Sequence, residues 1–158
     1  MNNYGDICEL LNKNNIKYNV FEFDEITPFD NEKVVTGIEL EKIVKTLAYK
    51  VGEEKILIAI LNGDRLDYKK IANVLQIKRN QLEMLVKDEI EELGFEIGGV
   101  CPIIPNKDIK VLLDSRIQIY DYIYCGMSRK DKVLKIMVRD LKKISRGICV
   151  DIVKNEKS

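Results

Sequence analysis

The sequence predicts an α+β fold, a single domain over residues 1–158 in which a curved, mixed and mostly antiparallel sheet is flanked by helices. Three observations carry that expectation. Segments with apolar residues at helical spacing alternate with segments that read as strands, and neither repeats nor low-complexity linkers interrupt them. Two apolar runs are separated by Gly52-Glu53-Glu54, a hairpin signal. A chain of 158 residues is close to the usual single-domain size and can bury about two-thirds of its unfolded surface, so it needs neither disulfides nor metal to fold.

In chain order, Ile7, Leu10 and Leu11 share one face of a helix over residues 6–14, and residues 18–23 alternate as a strand. Pro28 breaks the chain before a short helix over 31–35. Strands are expected at 47–51 and 55–61, on either side of the hairpin. Asn62-Gly63-Asp64 then turns the chain, and Asp67 caps the next helix, over 67–75. An acidic helix over 87–93 ends at Gly94, where a left-handed cap suits glycine. Three further strands are expected at 111–119, 120–125 and 133–138, followed by a helix at 141–144 and a last strand at 148–153.

Composition removes several classes of chemistry. The chain has no histidine, which excludes serine–histidine, cysteine–histidine and histidine-ligated metal mechanisms. Its four cysteines, Cys8, Cys101, Cys125 and Cys149, form no Cys-x-x-Cys pair, so no metal site and no cofactor are expected. Neither a cleavable leader nor an apolar run long enough for a membrane span is visible, and the chain reads as soluble, cytoplasmic and reduced. With 26 basic and 26 acidic residues the net charge is zero, which argues against a broad nucleic-acid coat. The charges are nevertheless uneven. Residues 105–147 carry eleven Lys or Arg against five Asp, which fits either a solvated helix face or a small contact with a few phosphates.

Lys45 lies in the apolar run Ile43-Val44-Lys45-Thr46-Leu47, about fifty residues before the loop Gly98-Gly99-Val100-Cys101-Pro102. A lysine beside buried positions must be solvated by something, and a glycine-rich turn exposes backbone amides that could share a pocket with it. The pair suggests a site for an anionic or carbonyl-bearing ligand; the plainer alternative is a lysine that snorkels to the surface and glycines that only make a turn. Thr46 reads first as a strand residue, though it could line such a pocket. Cys101 is a candidate thiol nucleophile or simply a small buried residue. Tyr120, Tyr122 and Tyr124 alternate as a strand should, and packing suits them better than base stacking.

These segments resemble the YbaK/ProX family of aminoacyl-tRNA deacylases, relatives of the editing domain of bacterial prolyl-tRNA synthetases. The likeness runs from Val44-Lys45-Thr46-Leu47, through the strand at 55–61 and the helix at 67–75, to Gly94-Phe95-Glu96-Ile97-Gly98-Gly99-Val100-Cys101-Pro102. It implies the same α+β fold and an ester hydrolase. Three positions depart from the family pattern: Cys101 replaces a serine, Ile103-Ile104 follows the proline where a bulky residue and glycine are usual, and the family's acidic residue falls on Val133. The helix preceding the lysine also reads as short, over 31–37.

The resemblance implies a free-standing trans-editing enzyme that deacylates mischarged tRNA carrying a small amino acid. Lys45, Gly98 and Gly99 are its expected catalytic groups; Thr46, Val100, Cys101, Pro102, Gly126 and Ser128 are the expected substrate contacts. The ester is already activated and the neighbouring ribose hydroxyl can move protons, so positioning can supply much of the acceleration. The expected partners are the tRNA acceptor end and a prolyl-tRNA or other synthetase, with no membrane or metal involved. The alternative is a non-catalytic module that binds an aminoacyl or nucleotide-like ligand at a degenerate site.

Overall fold

The structure is a computed structural model that describes residues 2–23 and 37–155. The short helix expected around 31–35 lies outside the described residues. The elements are α1 (Tyr4–Lys13), β1 (Tyr18–Glu22), β2 (Val44–Val51), β3 (Glu54–Leu61), α2 (Tyr68–Leu75), β4 (Leu82–Met84), α3 (Lys87–Glu92), β5 (Lys110–Asp114), β6 (Tyr122–Met127), β7 (Arg129–Met137), α4 (Val138–Ser145) and β8 (Ile148–Val150).

The α+β class and the mixed, mostly antiparallel strand pairing are as expected, and the strands divide between two sheets. One has the order β1-β7-β6 and the other β4-β2-β3-β5-β8; within the latter, β3–β5 and β5–β8 are parallel. A parallel bridge between Ile43 and Tyr124 links the two at the foot of β2. The main core fills the space between the sheets. Leu57, Ala59 and Val44 meet Ile123, Cys125 and Leu134 there, with Ile7 and Leu11 of α1 and Leu141 of α4 closing the sides. Alternate residues of β3, Ile56, Ile58 and Ile60, point the other way and pack against Ile71 of α2. Both faces of β3 are thus buried, which is why its sequence is a continuous apolar run rather than an alternating one.

The hairpin holds with a tighter turn than expected. Only Gly52 and Glu53 separate β2 from β3, and Gly52 has φ +60°, the conformation that the first central position of a type II′ turn requires. Asp67 caps α2 as expected, its carboxylate accepting the N–H groups of Lys69 and Lys70 at 3.0 and 3.2 Å. Gly94 sits at φ +96° just past α3.

Two strands end earlier than their composition suggests. The apolar run at 111–119 leaves the sheet after Asp114, whose carboxylate accepts the Arg116 N–H at 3.1 Å and starts a 3-10 turn over Ser115–Ile119. The last strand closes at Val150, and Val153 returns only as a bridge to Leu66. In contrast, α4 extends well beyond the four expected residues, to Val138–Ser145.

Candidate functional site

The hairpin register decides what stands next to Lys45. Val44 pairs with Leu61 and Lys45 with Ile60, so the chain leaving β3 at Asn62 passes beside the start of β2, and the Asn62 N–H donates to the Ile43 carbonyl at 2.8 Å. On its other side β2 is covered by β4 only at residues 49–51. The Leu85 N–H donates to the Ala48 carbonyl at 3.0 Å, which shows that Ala48 turns its peptide groups away from β3. Antiparallel alternation gives Thr46 the same direction, towards an edge that no described strand covers.

A cavity of about 250 Å³ occupies this edge, lined by Val44, Lys45, Thr46, Asn62, Gly98, Val100 and Gly126. Pleating places Lys45 on the β2 face that carries Leu47 and Tyr49, and Thr46 on the face that carries Val44 and Ala48. Lys45 is half-buried and makes no ion pair among the described residues. Thr46 is 9% exposed, and its hydroxyl has no hydrogen-bond partner among the described residues. A buried unpaired hydroxyl costs about 1–3 kcal/mol, a cost that a polar group reaching it from the cavity would offset.

The far wall is built by backbone meeting backbone. An added β-carbon on Gly126 would stand 2.4 Å from the Val100 carbonyl oxygen, and one on Gly99 would stand 2.7 Å from the Arg129 carbonyl carbon. Only glycine permits this approach. Ser128 then fastens the loop: its N–H donates to the Gly99 carbonyl at 2.7 Å and its hydroxyl to the Gly94 carbonyl at 2.9 Å. With φ +75°, Ser128 makes the tight reversal between β6 and β7.

Five of the expected site residues, Lys45, Thr46, Gly98, Val100 and Gly126, therefore come together at the cavity, and Gly99, Cys101, Pro102 and Ser128 do not line it. Gly99 is held inside the loop, its N–H donating to the Glu96 carbonyl at 2.9 Å and its carbonyl accepting from Ser128. Cys101 is fully buried in the main core, where its sulfur accepts the Ile103 N–H at 3.4 Å. Its neighbour Cys125 is held above the ordinary thiol range by a hydrogen bond with Cys101 and by burial. This is the setting of inert core thiols rather than a nucleophile. Val133 is buried beside Gly126, and no carboxylate lines the cavity among the described residues.

In the sequence, Asn62 stands out only as part of a turn. The signal that locates it is the two-residue turn itself, because residues paired across that hairpin have numbers that sum to a constant, which sets position 62 opposite Ile43.

Residues 31–144 match the aminoacyl-tRNA editing domain. Among curated proteins, the chain is 24% identical over 121 residues to the uncharacterized protein YwhH of Bacillus subtilis (strain 168), covering 75% of this chain and 76% of that one. It is 32% identical over 96 residues to a proline–tRNA ligase of Sulfurihydrogenibium sp. (strain YO3AOP1), a stretch covering 60% of this chain and only 16% of the ligase. Among solved structures, one described as a candidate trans-editing enzyme for prolyl tRNA synthetase superposes with a TM-score of 0.81 at 21% identity, covering 96% of this chain and 97% of that one. The hypothetical protein APE2540 superposes equally well, with a TM-score of 0.81 at 18% identity, over 94% of this chain and 99% of its own. With the domain match spanning most of its length and the same fold found in these structures, this chain belongs to the aminoacyl-tRNA editing domain family.

Proposed function

We propose that this protein edits in trans: it hydrolyses the ester that joins a small, wrongly attached amino acid to the terminal ribose of a tRNA. The observation that carries the reading is the unpartnered Thr46 hydroxyl beside Lys45 in a cavity of about 250 Å³. That volume is below the range of about 300–1,000 Å³ typical of drug-sized ligands and suits a small side chain with its ester.

In the proposed reaction, water attacks the ester carbonyl carbon and charge develops on the carbonyl oxygen. The Lys45 ammonium and the peptide groups of residues 98 and 100 stabilise that oxyanion. The carbon–oxygen bond to the ribose then breaks, and the ribose oxygen receives the proton lost by water, relayed through the neighbouring ribose hydroxyl. The products are the free amino acid and a tRNA with both ribose hydroxyls restored. Thr46 and Asn62 hold polar groups of the substrate, while Val44 and Val100 bound the side chain. Gly99 supports the loop rather than touching the oxyanion, and a fully buried Cys101 makes no covalent intermediate.

The reading takes the acceptor end of tRNA as substrate, a prolyl-tRNA or other synthetase as its source, and the cytoplasm as its compartment. The family match and the likeness to a candidate trans-editing enzyme support it. Among the described residues, no helix is long and apolar enough to cross a membrane. The rival reading, a binding module without turnover, draws on the absence of a carboxylate among the described lining residues.

A panel of tRNAs mischarged with alanine, cysteine, serine, leucine or phenylalanine tests the size expectation. Release is expected from the small esters and at least about fivefold less from leucine and phenylalanine, since overfilling a packed site costs about 1–3 kcal/mol. Equal release across the panel contradicts the assignment of this cavity as the amino-acid pocket.

Thr46→Val separates ligand contact from packing. The variant removes an unpaired hydroxyl, so the fold is expected to gain about 1 kcal/mol. Deacylation is expected to fall about tenfold, the equivalent of one lost hydrogen bond of about 1.4 kcal/mol. A variant that loses both stability and activity would show that the hydroxyl is satisfied within the fold.

A further inference from the structure

β2 and β6 begin side by side and then part. The parallel bridge between Ile43 and Tyr124 joins them, no ladder continues it among the described residues, and Val44, Thr46 and Gly126 line the wedge that opens beyond. Along β2 the ladders fix the direction of each peptide. The Ala48 carbonyl accepts from Leu85 on the side away from β3 and the Ile43 carbonyl from Asn62 on the β3 side, so alternation turns both the N–H and the C=O of Thr46 into the wedge. Neither group has a ladder or loop partner there among the described residues. The strand edge thus offers one donor and one acceptor, side by side, to whatever fills the cavity.

That pair matches the main chain of a single residue. An antiparallel neighbour exchanges both its N–H and its C=O with the residue directly opposite, and an aminoacyl ester presents the same two groups, an α-amino group and a carbonyl oxygen. The register also decides where the side chain goes. Directly opposed residues point to the same face, and Thr46 shares its face with Val44 and Ala48. Val100 packs against that same core, so the side chain of an L-amino acid falls between Val44 and Val100. The mirror-image amino acid turns its side chain to the Lys45 face instead. No carboxylate lines the cavity among the described residues, so a substrate's amino group meets neutral acceptors there.

We infer that the amino acid of the substrate docks as a one-residue antiparallel strand on the edge of β2, its α-amino group donating to the Thr46 carbonyl and its ester carbonyl oxygen accepting from the Thr46 N–H, which makes the site selective for L-amino acids over their mirror images and over acyl groups that lack the amine. The inference rests on the proposed function and adds what holds the main chain of the amino acid. Beside Lys45, the Thr46 N–H is a further fixed donor to the oxygen on which charge develops. Backbone carries this recognition. It therefore survives substitution of the Thr46 side chain, whose hydroxyl makes a separate contact.

The test compares three esters of one RNA minihelix, L-alanyl, D-alanyl and propionyl, with each rate divided by the uncatalysed rate of the same ester. The L-alanyl ester is expected to exceed each of the others by at least about tenfold, the equivalent of one lost hydrogen bond. The L-over-D ratio is expected to persist in Thr46→Val and in Asn62→Ala, which keep the backbone of β2. Equal release of the L and D esters, or of the L-alanyl and propionyl esters, overturns the inference. So does a ratio that collapses in either variant, which would place the amino group on a side chain. If no ester is released, the proposed function falls, and calorimetric titration with the same three acyl groups as stable amides of 3′-amino-3′-deoxyadenosine decides the docking alone. At least about tenfold tighter binding of the L-alanyl amide then leaves the docking standing, and equal affinities or no binding overturn it as well.

Discussion

Lys45→Ala is expected to lower deacylation of the best mischarged tRNA by at least about 100-fold, because one preorganised charge contact to a developing oxyanion is worth about 3 kcal/mol or more. Lys45 stands at the cavity wall without an ion pair among the described residues, so its removal should leave the thermal midpoint nearly unchanged. Loss of activity with retained stability is the signature of a group kept for its ligand. A kcat within about threefold of wild type, in a folded variant, removes Lys45 from the reaction.

Gly126→Val should damage both fold and function, through geometry rather than charge. Its β-carbon would lie 2.4 Å from the Val100 carbonyl oxygen and 3.1 Å from the Gly99 carbonyl carbon, and both are backbone atoms that cannot rotate aside. Either the loop shifts away from β6 or the strand bends. The expected cost is about 1–3 kcal/mol, or a melting temperature lower by about 2–10 °C, with deacylation reduced at least about tenfold as the cavity wall moves. Gly63→Ala provides the control, since its β-carbon would enter open space. If Gly126→Val melts and reacts like wild type, the close approach of the loop to β6 is not what shapes the site.

Local features were legible from the sequence where a short-range rule governs them. The hairpin at Gly52, the cap at Asp67 and the positive φ of Gly94 each depend on residues within a few positions, and each occurs in the structure. The run at 55–61 was readable as a strand, and its unbroken apolar character reflects burial on both faces, which the structure supplies. What spacing could not convey was the division into two sheets. The pairing of β1 with β7 joins residues more than a hundred positions apart, and nothing local encodes that choice.

The candidate site shows the same limit. Lys45 and the glycine loop stood out because a charge in an apolar run and adjacent glycines are visible one residue at a time. The separate duties within the loop were not. Val100 faces the cavity while Cys101, the next residue, is fully buried in the core, and that division follows from how the loop packs on β6. Ser128 reads as a polar candidate in the sequence, yet its hydroxyl and its backbone N–H are both occupied in holding the loop. The tyrosine ladder divides as well. Tyr124 is core, while Tyr122 is half-buried and carries two lysines over its ring.

The central claim is turnover, and its most direct test is the time course of amino acid released from alanine-mischarged tRNA with substrate in at least about fiftyfold excess over protein. The account predicts linear release through many equivalents of protein, at a rate that falls at least about 100-fold in Lys45→Ala. Release that stays at the uncatalysed rate with the whole small-amino-acid panel, while mischarged tRNA still binds, would contradict it and identify a binding module instead.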